Sequence, residues 1–148
     1  MRLLLLLPLA ALLLLPPLPE RLTTLTAQEP AEEVGPLAHS MKELKRGLRA
    51  MRGLMADPEA TADAVEQLRA MEQAVLEGMA FSPTPFGELN AIELRTWDVR
   101  FRRSLLALAD QFCAVEQALL EGKREEAQAL YRELGKLKKS GHSAFKAD

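Results

Sequence analysis

Two histidines, six methionines and one cysteine are the nitrogen and sulfur side chains of this 148-residue sequence best suited to a transition metal. A thioether and an imidazole together suit a transition-metal centre and offer no nucleophile or general base pair. The single Cys113 excludes an internal disulfide framework, every four-cysteine zinc site and a CxxCH attachment motif. There is no HExxH, no GxGxxG, no phosphate loop and no paired-carboxylate site. Two histidines among helices do not make a Ser-His-Asp arrangement, so no enzymatic activity is expected. With 19 Lys+Arg against 21 Asp+Glu and a net charge of −2, no basic field exists for nucleic acid.

The elements that must position these side chains follow from composition and periodicity. Only 5% of residues are aromatic while Leu, Ala, Glu, Lys and Arg abound, which favours long helices in one domain. Residues 3–15, LLLLLPLAALLLL, form an apolar run behind Arg2. The run is shorter than the roughly 20 residues a bilayer span needs, and Pro8, Pro16, Pro17 and Pro19 would interrupt a spanning helix. Residues 1–27 therefore read as a secretory signal peptide cleaved after Ala27, and 28–35 as a flexible lead-in. Removal leaves 17 basic and 20 acidic residues in an exported, weakly acidic chain.

Residues 36–148 carry four amphipathic segments. Helix 1, about Pro36–Ala56, has its stripe at Leu37, Met41, Leu44, Leu48, Met51 and Met55. Helix 2, about Pro58–Ala80, has Ala64, Leu68, Met71, Val75 and Met79, and Asp57 is placed to cap it. Helix 3 ends near Glu121, with Leu94, Trp97, Phe101, Leu105, Leu108, Phe112, Val115 and Leu119 on one stripe. Begun at Glu88 it would outrun its neighbours, so a break, a short separate helix or a protruding turn is expected near Asn90–Thr96. Helix 4, about Lys123–Phe145, has Ala127, Leu130, Leu134, Leu137, Gly141 and Phe145. Gly122 suits the left-handed residue of the turn before it. Cys113 is placed among the apolar positions as a buried free thiol. Arg95, Arg100, Arg102 and Arg103 fall off the stripe on a solvated face. The short turns at Asp57 and Gly122 imply an all-α, antiparallel up-down-up-down four-helix bundle.

In that topology the start of helix 1 and the finish of helix 4 share an end. Met41 and His142 then lie at similar depth, with Phe86, Trp97, Phe101 and Leu105 available as apolar cover. That is the arrangement a Met/His-ligated haem needs. His39 lies about 200° around helix 1 from Met41 and faces away. Gly135 and Gly141, which weaken a helix by roughly 1 kcal/mol each, leave room for a flat group near the backbone. Copper held by Met and His is the weaker alternative, because the methionines spread along the core seam.

The stretch EGKREEAQALYRELGKLKKSGHSAFK, Glu121–Lys146, together with HSMKELKRGLRAM in helix 1, resembles the cytochrome b562 family. The resemblance covers most of residues 36–148; helix 2 and the loop after it match in character only. It implies a noncovalent haem b with Met41 and His142 as axial ligands. It places Phe101 on an aromatic that packs against the haem. Leu105 stands where the family has a second aromatic, and Lys138 where it has an arginine one turn before the ligand histidine. The function implied is periplasmic electron transfer by a monomer with an unidentified redox protein partner, no nucleic acid and no stable membrane span once the leader is removed. The alternative is a haem-free exported bundle acting as adaptor, sensor or chaperone. A haem-binding chain examined without its ligand should show a cleft beside Met41, Phe101 and His142, or a frayed end to helix 4.

Overall fold

The computed structural model describes residues 35–145, and the expected leader, its cleavage after Ala27 and nearly all of the lead-in lie outside them. The described residues form four helices and no strand, consistent with a four-helix bundle: α1 (Pro36–Ala56), α2 (Thr61–Gly78), α3 (Ala91–Leu120) and α4 (Arg124–Phe145). No helix among them is long and apolar enough to cross a membrane.

Local chemistry sets the boundaries. Pro36 opens α1, where its missing N–H costs no intrahelical bond. Asp57 does not cap α2 directly. Its carboxylate accepts from the Glu59 N–H at 2.9 Å, which closes a turn over Pro58–Ala60 and delays α2 to Thr61, three residues later than periodicity suggested. Asn90 starts α3 through a capping box: its side chain accepts from the Ile92 and Glu93 N–H groups at 2.9 and 3.0 Å, and Glu93 accepts from the Asn90 N–H at 2.8 Å. Gly122, at φ 72°, ends α3: its N–H reaches the Leu119 carbonyl and the Lys123 N–H reaches the Ala118 carbonyl, a Schellman closure.

Helix α3 runs unbroken for 30 residues, and Ala91–Thr96 are exposed on every side. Of the three possibilities for that stretch, the structure has the protruding turn. The capping box and a run without Gly or Pro give the backbone no reason to stop. Leu94, expected on the stripe, is therefore exposed, on a turn of α3 beyond the end of α2 and with no other described helix packed over it. Cys113 is also exposed, correcting its placement as a buried thiol. It follows Phe112 by one residue, which turns it about 100° away from the core line, and its thiol faces the Glu72 carboxylate at 3.5 Å.

Phe112, Met51, Leu68, Met71, Leu134, Val75 and Val115 are the largest fully buried apolar side chains and fill the middle of the molecule. Helix α1 packs on α2, α2 on α3 and α3 on α4, whereas the backbones of α1 and α4 scarcely come within 8 Å of each other. Side chains bridge that wider seam. Arg124 donates to the Leu54 carbonyl at 2.8 Å and also to that of Asp57, Gln128 to that of Met55 at 3.1 Å, and Tyr131 to that of Leu48 at 2.7 Å. Carbonyls in the last turn of α1 have no partner within the helix, and α1 has no basic residue there. Arg124 supplies both the donors and the positive charge.

Candidate haem-binding end of the bundle

The site begins with a rotation of α1. Its buried face is Ser40, Leu44, Gly47, Met51 and Met55, not the purely apolar stripe read from periodicity. Two small residues make this possible. An added Cβ at Gly47 would lie 2.5 Å from the Met71 Cγ, so α1 and α2 approach more closely there than a side chain would allow. Ser40 is 2% exposed, its hydroxyl satisfied by the Pro36 carbonyl at 3.3 Å. With Ser40 and Gly47 turned to α2, Met41 and Leu48 move to the flank that faces α4, and both are half-buried.

Gly78, at the end of α2, gathers the next group. A Cβ built there would be 3.3 Å from Met41 Cε, 3.4 Å from Ser40 Cβ and 3.7 Å from a Leu105 methyl, so Met41 and Leu105 converge on one spot. Phe101 lies one turn before Leu105, and both are buried. Phe101 meets Phe145 edge-on at 5.3 Å, Phe145 meets Trp97 at 5.0 Å, and Trp97 meets Phe86 at 5.5 Å. The Trp97 indole N–H donates to the Pro83 carbonyl at 2.9 Å and holds the Phe81–Gly87 loop over this end.

The structure thus brings Met41, Phe101 and Leu105 together. His142 and Lys138 remain exposed on the neighbouring flank of α4. Helix α4 continues through His142 to Phe145, so its end is not frayed over the described residues. His39 is exposed, on the side away from Met41.

Helical rise relates the two flanks. Tyr131 stands opposite Leu48. Met41 is two turns beyond Leu48, and Lys138 two turns beyond Tyr131 on the same flank; His142 is one turn further. The axial offset between Met41 and His142 is about 6 Å. Above Tyr131 no hydrogen bond crosses the seam among the described residues, and the space beside both Gly135 and Gly141 is open. Sequence reasoning missed Ser40, Gly47 and Gly78 because small residues carry no hydropathy signal. The visible cue was spacing: 40, 44, 47, 51 and 55 also follow a helical period.

A family model described as cytochrome b562 matches residues 36–146, a span that includes all four helices. The chain belongs to the cytochrome b562 family. No curated protein and no solved structure matches it. Members of the cytochrome b562 family are haem-binding electron carriers. The residues present fit such a group. A half-buried thioether and an exposed imidazole border a seam that is wide and unbonded at this end, and Gly141 offers the backbone without a side chain.

Proposed function

We propose that this protein is an exported, periplasmic electron carrier that holds one noncovalent haem b at the open end of the α1–α4 seam of an antiparallel up-down-up-down bundle. The observation that carries this reading is the unbonded seam between Met41 and His142, flanked by buried Phe101 and Leu105. When bound, haem iron supplies a reversible one-electron couple. The Met41 sulfur and the His142 imidazole would hold the iron, and the chemistry supplied there would be outer-sphere one-electron transfer. Phe101, Leu105 and Trp97 exclude water from one side. Lys138, exposed one turn before His142, would supply a cation for a haem propionate. Lys42, Lys45, Arg46 and Lys139 line the same end and select an acidic redox partner.

Titration of the exported chain with haemin tests this. A sharp low-spin Soret band with resolved α and β bands is expected. His142→Ala should abolish the low-spin spectrum, Met41→Ala should leave a five-coordinate or water-ligated haem of lower potential, and His39→Ala should change neither spectrum nor affinity. A haem-free adaptor or chaperone is the second reading. The observation in its favour is Phe145, which already packs on Phe101 and Trp97. An unchanged haemin spectrum throughout the titration selects it.

A further inference from the structure

The outer face of α3 carries a pattern that neither the core nor the haem end uses. Ile92, Val99, Leu106, Cys113 and Leu120 recur every seventh residue. All five are exposed, the four larger apolar ones at 77, 46, 50 and 64%. A seven-residue step falls about 20° short of two full turns, so the stripe winds slowly around α3 over about 42 Å. An apolar repeat of seven along a helix is what a second helix buries when the two wrap around each other. Leu76 broadens the patch from α2. It lies one and two turns beyond Glu72 and Arg69, the residues through which α2 touches Cys113 and Glu116 of α3, and it is exposed.

The charges name the occupant. The first half of α3, residues 91–105, holds Arg95, Arg100, Arg102 and Arg103 against Glu93 and Asp98. The second half, 106–120, holds Asp110 and Glu116 and no basic residue. One half has an excess of two positive charges and the other of two negative. A copy of the same helix laid antiparallel matches both the repeat and the charge. Leu106 is the middle of the five stripe positions, so a two-fold axis there pairs Ile92 with Leu120, Val99 with Cys113 and Leu106 with itself. Arg103 then lies on the same side of the contact as Asp110 of the other copy and one residue from its level, and Arg95 lies one residue from the level of Glu116. Parallel pairing would set arginine against arginine.

We infer that the protein forms a two-fold homodimer through the outer faces of antiparallel α3 helices, centred on Leu106. This departs from the monomer expected from the sequence. Only one apolar residue per heptad lies at the contact, so the pair is weaker than a leucine zipper and depends on its charges. Helix α3 packs between α2 and α4, which turns this face away from the α1–α4 seam and leaves the haem end free in both copies.

Disulfide trapping tests the contact and its register. Antiparallel pairing puts the two Cys113 residues about 21 Å apart along the axis, beyond the reach of a disulfide. It sets a cysteine at position 99 opposite Cys113 of the other copy. Val99→Cys protein, equilibrated with oxidised glutathione, should convert mainly to a covalent dimer that reducing agent dissolves, while the unaltered protein should not. Residues 99 and 113 of one chain are also about 21 Å apart, so an internal bridge cannot form. Sedimentation of the unaltered protein should show mass rising toward twice the monomer with concentration, and Leu106→Arg should hold it at the monomer with an unchanged helical circular dichroism spectrum. Efficient cross-linking of the unaltered protein through Cys113, no trapping of Val99→Cys, or a monomer at every concentration would each overturn the proposal, as would self-association that Leu106→Arg leaves intact.

Discussion

Tyr131 and Leu48 make the uppermost hydrogen bond described between α1 and α4, the phenol donating to the carbonyl at 2.7 Å. Below it, Gln128 and Arg124 tie α4 to the last turn of α1. The bond therefore separates a closed half of the seam from an open half. The phenol marks the boundary chemically as well. Burial pushes its pKa above the ordinary 10.0, against a smaller opposing pull from Arg52.

Tyr131→Phe should cost about 1 kcal/mol at neutral pH, a typical net value for one hydrogen bond. The native state holds the phenolic proton more tightly than the unfolded chain does. Its contribution is therefore complete below the unfolded pKa and is lost as pH rises through the folded one. Denaturant midpoints of the two proteins should converge as pH climbs past 10.0. A gap that stays constant into strong alkali would show that the phenol proton is not linked to folding.

Two glycines of α1 should respond to alanine with opposite signs. At Gly53 an added Cβ meets nothing within 4 Å, so Gly53→Ala should raise stability by up to about 1 kcal/mol through helix propensity. At Gly47 the same Cβ meets the Met71 Cγ at 2.5 Å and its sulfur at 2.7 Å, and Met71 is buried and cannot swing into solvent. Overpacking costs about 1–3 kcal/mol, which outweighs the propensity gain, so Gly47→Ala should destabilise. Equal shifts in melting temperature would mean that Met71 does not fill the space beside Gly47.

What was legible in the sequence was whatever hydropathy writes. The four helices, the turn at Gly122 and the convergence of Met41, Phe101 and Leu105 near one end all came from apolar spacing and turn residues. What was not legible depends on approach distances. Ser40 and Gly47 rotate α1 toward α2 and shift Met41 to the seam, yet neither is apolar enough to be counted in a stripe. Periodicity puts Leu94 in the core because it continues the 3/4 spacing of α3, and Cys113 because it falls among the apolar positions. The structure exposes Leu94 because α3 outlasts its neighbours, and Cys113 because it turns toward α2 at the surface. The heptad on the outer face of α3 was hidden by the stronger core period of the same helix.

Charge segregation predicts how the open end meets other molecules. Lys42, Lys45, Arg46, Arg49 and Arg52 on α1 are opposed only by Glu43, and in the half of α4 beside the open seam, residues 131–145, Arg132, Lys136, Lys138 and Lys139 are opposed only by Glu133. Helix α2 has the opposite excess: Asp63, Glu66, Glu72 and Glu77 against Arg69. The chain is negative overall, but an electron donor approaching the seam meets a positive field. Oxidation of the ferrous haem-loaded protein by an anionic complex such as ferricyanide should slow several-fold as ionic strength rises from about 0.01 M to 0.15 M, where the screening length shrinks from about 30 Å to 8 Å. A cationic cobalt complex should speed up over the same range. The same salt response for both reagents would place the electron path elsewhere on the surface.

Gly141 offers the sharpest separation of a cofactor site from ordinary helix packing. It is half-buried, immediately precedes His142, and has open space where a side chain would go. In the haem-free protein, Gly141→Ala relieves the entropic cost of glycine in a helix and meets no neighbour. Its melting temperature should rise, by an amount that reflects up to about 1 kcal/mol. If the flat edge of a haem uses that space, the new methyl group occupies it, and haem affinity should fall although the bare fold is stronger. Gly53→Ala serves as the control: it should stabilise the bare protein similarly and leave haemin binding untouched, because it sits at the far end of α1. Thermal melts without haemin and spectroscopic titrations with it, run on both variants, give four numbers. A gain in stability with a loss of affinity at Gly141, and a gain alone at Gly53, is the expected pattern. Unchanged affinity in both variants would move the cofactor away from Gly141 and weaken the case for His142 as its ligand.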